Sequence, residues 1–270
     1  MKKYYTEREF NSIPKIELPI LSSYFLRIYK QLSEDMFFER GEKIWGHEPE
    51  FFIFRKLGLW GIWPIEENIA KYEESTLFSV IELLHDYVSR KYFAGVSEFA
   101  IEGVVYEYDK KYGQRVYRTM VNDILRYYNG GYELSEDGEI LKLSPLGFET
   151  LVEKDIETND PENIDLRVKY SISKFSRYNS SIEDKKDAVR TLGDVLEYLG
   201  KFGIKLDNKD DSDLFKIING FDIRHHNREQ QRGYDKDAWY DWMFYTFLAS
   251  IHVLLKLYNE KLDLKIQHTK

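Results

Sequence analysis

Arg224-His225-His226-Asn227, followed by Arg228 and Gln230, is the run of side chains with the widest chemical reach in this sequence. Histidine takes or gives a proton near neutral pH, while arginine keeps its charge and can hold two phosphate oxygens at once. Such a set suits metal-independent cleavage of RNA. A base removes the ribose 2′-hydroxyl proton, an acid protonates the leaving 5′-oxygen, and the cation stabilises the charge that builds on phosphorus. Arg228 and Arg232 add local positive charge, and Asn227 and Gln230 can contact a base or a phosphate. Adjacent histidines diverge on a helix, and neither HxxxH nor HExxH spacing occurs, so neither a metal nor another cofactor is expected.

The elements that must hold this run are helices. Leu214, Ile218, Phe221 and His225 recur at spacings of four, three and four, which predicts a helix from Ser212 to about Arg224 with His225 toward the core or a pocket. The same pattern fits a histidine hydrogen-bonded within a core. The next helix, from Asp237 to about Lys261, is apolar around most of its circumference. It is therefore expected to be central or to bury a second face in a partner. Its one polar stripe is Asp241, Tyr245, Ala249, His252 and Lys256, which either faces solvent or brings His252 and Tyr245 to the Arg224 site. Two further helices, Ile164 to Arg177 and Ile182 to Phe202, precede them, the second opened by Ser180-x-x-Glu183. Four helices with short joints predict a bundle.

The polar, turn-rich stretch 153–163, with Asp160-Pro161, is the expected joint between residues 1–152 and 153–270. Upstream, helical spacing covers Glu17–Phe38, broken at Glu39-Arg40-Gly41, then Ser75–Arg90, with Ser75 as a cap, and Gly113–Tyr128. The apolar, glycine-punctuated run 50–64 reads as buried and irregular. Tyr132–Leu134 and Glu139–Leu143 read as a β-hairpin turning at Asp137-Gly138. A helix followed by a hairpin is winged-helix-like and raises DNA binding through Arg115, Arg118 and Arg126 as an alternative. The fold class is mainly α.

Composition narrows the chemistry. A net charge of −8 over 270 residues argues against coating nucleic acid through a general basic surface, so any such binding is local. The absence of cysteine excludes disulfides, thiolate-bound zinc and a cysteine nucleophile. No apolar run is long enough for a membrane span, and the charged Met1–Arg8 start is not followed by the apolar run of a secretory signal, so the cytoplasm is expected.

Lys209 to Asn227, continuing through Trp239–Tyr245 to Ile251-His252, resembles the C-terminal helical domains of AbiJ-like abortive-infection proteins, within the HEPN superfamily. Phe38–Gly41, Leu57–Trp60, Leu77–Glu82 and Val121–Leu125 resemble the N-terminal module of that group. The resemblance implies a HEPN-like four-helix bundle after a helical module with a small hairpin, a homodimer through the bundle, and RNA cleavage in antiviral defence. Arg224 matches the family's arginine and His225 the polar position after it. Glu229, Gln230 and Gln231 stand where its histidine would fall. Either His226 or His252 substitutes, or the domain binds RNA, a nucleotide or a protein without catalysis.

Overall fold

Pro19 in the first turn and the buried stripe Leu21, Phe25, Ile28 and Leu32 set the first helix, α1 (Leu18–Glu34), of the computed structural model. The structure describes residues 15–96, 104–145, 147–154, 156–201, 203–204, 214, 216–217 and 234–267, with no side chains described after 257. The chain divides into two units, Met1–Leu143 and Ser144–Lys270, and is mainly helical, with two small antiparallel sheets among the described residues.

In the first unit α1 ends earlier than its spacing suggests, and Met36 carries the turn at φ 60°. Gly41 is not a breaker: α2 (Glu39–Trp45) runs through it. A Cβ at Gly41 would lie 3.1 Å from the Tyr87 Cβ and carbonyl, so the glycine is a packing notch. The run 50–64 also departs from expectation. Residues Pro49–Leu57 form a helix, α3, stopped by Gly58 in the left-handed region at φ 69°. The loop behind it is pinned by one carboxylate: Glu50 accepts backbone N–H bonds from Gly61 (2.5 Å), Ile62 (3.2 Å) and Trp63 (2.6 Å). Burial there is confined to Ile53 and Ile62, while Phe51 and Trp60 stay exposed.

A short helix, α4 (Ile65–Asn68), leads to α5 (Glu74–Tyr87), which buries Leu77, Phe78, Val80, Ile81, Leu83 and Leu84. Ser75 lies inside α5, and no side chain caps it. Strands β1 (Arg90–Val96) and β2 (Val104–Asp109), which helical periodicity does not reveal, pair antiparallel as a ribbon. Asp109 ends the ribbon and caps α6 (Lys110–Leu125), accepting the Tyr112 N–H at 2.9 Å. The ribbon's root is tight, since a Cβ on Gly113 of α6 would fall 2.6 Å from the Ser89 Cα.

The hairpin forms where expected, as β3 (Tyr132–Leu134) and β4 (Ile140–Lys142). It is fastened to the helices by side chains. Asn122 accepts the Leu134 N–H at 2.7 Å and donates to the Leu134 carbonyl at 3.1 Å, and Glu82 accepts the Ile140 N–H at 2.7 Å. Beneath its turn lies His85, 1% exposed, with neither ring nitrogen hydrogen-bonded. Burial lowers its pKa from 6.5, opposed by Asp86 and Asp137 and reinforced by Arg118 and Lys110. As pH falls through 6.5 the unfolded chain takes up this proton before the folded one. The stability His85 contributes is thus complete above pH 6.5 and is lost below it. Amide exchange of α5 and α6 should accelerate from pH 7 to pH 5 once corrected for intrinsic rates; unchanged corrected protection would contradict this.

In the second unit, α7 (Glu149–Glu153) is followed by a wide turn at Pro161–Asp165 and then α8 (Leu166–Ser176). The stretch expected as the joint is inside this unit: the Asp160 carboxylate accepts from Tyr198 and Asn163, and Thr158 donates to Asp165 at 2.6 Å. Helix α9 (Ile182–Lys201) is opened by Ser181 and Asp184, not by Ser180 and Glu183. The Asp184 N–H donates to the Ser181 hydroxyl oxygen and the Ser181 N–H to the Asp184 carboxylate, both at 3.1 Å. Helix α10 (Lys236–Gln267) runs without glycine or proline. Val168, Phe175, Val189, Leu192, Leu196, Tyr240, Phe244, Phe247 and Ile251 form the core shared by α8, α9 and α10. Leu214, in a helical turn, is buried in the same core.

Candidate functional site

Arg224, His225, His226, Asn227, Arg228 and Gln230 lie outside the described residues. The members of the expected site that are described, Tyr245 and His252, sit on α10. That helix starts where Asp235 accepts the N–H groups of Asp237 (3.1 Å) and Ala238 (3.3 Å).

Tyr245 is held by aromatic packing. Its ring is 4.4 Å from Phe148, 5.2 Å from Phe244 and 6.2 Å from Phe175, and Phe175 stacks on Phe244 at 3.9 Å. Burial raises its pKa, with hydrogen bonding to Ser144 acting the other way, so at neutral pH the hydroxyl keeps its proton. Lys185 closes the other side, bonded to Asp237 (2.6 Å) and Asp241 (3.0 Å) and 5.3 Å from the Phe175 ring.

His252 is half-buried, and its Nε2 lies 3.0 Å from the Leu151 carbonyl oxygen. A carbonyl can only accept, so Nε2 carries the proton and is committed to the backbone. Burial lowers its pKa, which keeps the ring neutral at pH 7. Tyr245 and His252 are seven residues apart, about 10 Å along the helix axis. Tyr245 lines an open groove of about 720 Å³ together with Pro145, Phe148, Asp241, Trp242 and Thr246, and His252 does not. These two polar groups of the stripe therefore do not converge.

No family model, curated protein or solved structure matches the chain.

An apolar face of α10 extends beyond this groove, of which Trp242 and Val253 are part. Trp239, Trp242, Val253 and Leu257 recur at helical spacing, and each is 40 to 47% exposed. The signal was the apolar circumference of α10, which has one side more than the described core covers. Among the described residues no helix is long and apolar enough to cross a membrane, and no group of three or more His, Asp or Glu side chains is arranged to hold a metal.

On α6 of the first unit, which precedes the β3–β4 hairpin, the arginines are engaged within the chain. Arg118 lies 3.5 Å from Glu136, Arg126 lies 3.9 Å from Asp123, and Arg115 packs 5.2 Å from the Tyr112 ring.

Proposed function

We propose that this chain is an RNA-directed protein of HEPN type, acting in the bacterial cytoplasm in antiviral defence as a dimer through its second unit. The observation that carries the reading is the run Arg224-His225-His226-Asn227, which in the sequence follows Leu214, buried in the core of the second unit, and precedes the long α10. The exposed stripe Trp239, Trp242, Val253 and Leu257 supports pairing of two copies along α10, because an apolar seam on a long helix is what a partner helix covers.

Arg224 would hold the phosphate, with His225 or His226 moving the protons. One imidazole takes the 2′-hydroxyl proton, the 2′-oxygen bonds to phosphorus, the bond to the 5′-oxygen breaks, and that oxygen is protonated. The products are a 2′,3′-cyclic phosphate and a free 5′-hydroxyl. Incubating the chain with single-stranded RNA in a metal chelator should yield these ends. Arg224→Ala and His226→Ala should each slow cleavage by about 100-fold or more without unfolding the protein. RNA left intact from pH 5 to 9 would reject catalysis.

One observation favours a second reading, a HEPN-like module that binds RNA, a nucleotide or a protein without cleaving. His252, the more distant substitute for the missing family histidine, spends its Nε2 proton on Leu151. RNA retention that weakens steeply with salt and forms no product identifies this case. DNA binding through α6 is disfavoured because Arg118 and Arg126 face carboxylates of their own unit.

A further inference from the structure

We propose that the β1–β2 ribbon of the first unit is a stacking platform for single-stranded nucleic acid, taking two neighbouring bases on Phe93 and Tyr106. The register sorts the ribbon into two unlike faces. Lys91 pairs with Tyr108, Phe93 with Tyr106 and Val96 with Val104, so these six share one face. Arg90 with Asp109 and Tyr92 with Glu107 share the other, where the Tyr92 hydroxyl donates to Glu107 at 2.6 Å.

Among the described residues the first face is exposed at Phe93 (61%), Val96 (77%) and Tyr106 (49%), and half-buried at Lys91, Val104 and Tyr108. Phe93 and Tyr106 stand directly opposite each other across the strands, close enough to receive consecutive bases.

Charge on this face suits a polyanion. Lys91 Nζ sits 4.3 Å from the Tyr106 ring, and Lys43 and Arg40 lie 5.5 and 5.9 Å from the Tyr108 ring. The carboxylate among them is Glu39, bonded to Lys91 and Lys43 at 2.9 Å and accepting from Tyr108 at 3.1 Å. Those bonds, that from Lys91 foremost, lower its pKa to about 2. Three cations thus meet one carboxylate here, on a chain with net charge −8, while Glu107 and Asp109 are turned to the far face.

The root of the ribbon is tied to the helices, with the Ser89 N–H bonded to the Phe37 carbonyl at 2.9 Å. A few side chains on a two-stranded ribbon fall well short of the roughly 800 Å² per partner of a stable protein interface, but they match the faces of two bases. A duplex keeps its bases stacked inside, which selects single strands.

The inference concerns binding in the first unit and does not require cleavage at Arg224. Fluorescence anisotropy of a labelled uridine octamer at low salt tests it, on the full chain and on the full chain carrying Arg224→Ala. Both should bind, with a thymidine octamer reporting whether the ribose matters. Phe93→Ala and Tyr106→Ala should each weaken binding about 10-fold in both backgrounds. Tyr92→Ala, on the opposite face, should leave it unchanged. All three side chains are exposed, so the variants keep the wild-type circular dichroism. The proposal is overturned if the Phe93→Ala/Tyr106→Ala chain binds like wild type, if Tyr92→Ala costs as much, or if neither octamer binds. It is equally overturned if light scattering shows these variants separating a dimer while binding persists, since the face would then hold a second copy.

Discussion

Gly138→Ala is expected to destabilise the first unit by about 2–4 kcal/mol. Two effects add. Gly138 occupies the hairpin turn at φ 84°, where a side chain is strained by about 1 kcal/mol or more. Its new Cβ would also lie 2.5 Å from His85 Nδ1. That ring cannot retreat, because it is buried under the turn and packed beside Tyr117, itself fully buried and donating to the Ile81 carbonyl at 3.0 Å. Overpacking a site of this kind costs about 1–3 kcal/mol. A double-mutant cycle separates the two parts. His85→Ala makes room for the methyl group, so the pair of changes should cost less than the sum of the single ones by about 1 kcal/mol or more. Urea unfolding, read by exchange in peptides of α5 and α6, measures all three variants. Strict additivity would mean that imidazole and glycine do not press on each other.

Phe244→Ala should cost the second unit more, about 3–5 kcal/mol. Phe244 is fully buried, stacks on Phe175 at 3.9 Å and meets Tyr245 at 5.2 Å, so its removal leaves a hole facing α8 and α10 together. Tyr245 loses its backing, and the wall of the groove it shares with Phe148 and Trp242 loosens with it. Exchange should rise across α8, α9 and α10 while α5 and α6 keep their protection, since the two units have separate cores. A loss below about 1 kcal/mol, or one spread equally over both units, would contradict this assignment of the core.

What the sequence disclosed follows from which interactions are local. Helices α1, α5, α6, α8 and α9 are legible because each lays a 3–4 stripe such as Leu21, Phe25, Ile28 and Leu32 against a core, α10 because it is apolar around most of its circumference, and the Asp137-Gly138 turn names its hairpin. The departures come from contacts distant in sequence. Gly41 reads as a breaker until Tyr87 is seen against it, and α3 reads as irregular because its burial is slight and its loop depends on Glu50. The β1–β2 ribbon escaped because its pattern is neither helical nor bordered by a short turn. At the candidate site, spacing put Tyr245 and His252 on one stripe of α10. It could not reveal that the Leu151 carbonyl, about a hundred residues upstream, accepts the His252 Nε2–H.

The kink in the ribbon has a consequence for how the molecule keeps its own company. Between Phe93 and Gly95 the pairing slips by one residue, leaving Ala94 without a partner across the ladder. Among the described residues neither strand has a second neighbour, so each offers a free row of amides and carbonyls to a passing chain. An extra residue of this kind coils the strand and breaks the straight edge that fibril growth requires. The same irregularity that bends the arm thereby guards a sticky surface against runaway self-assembly.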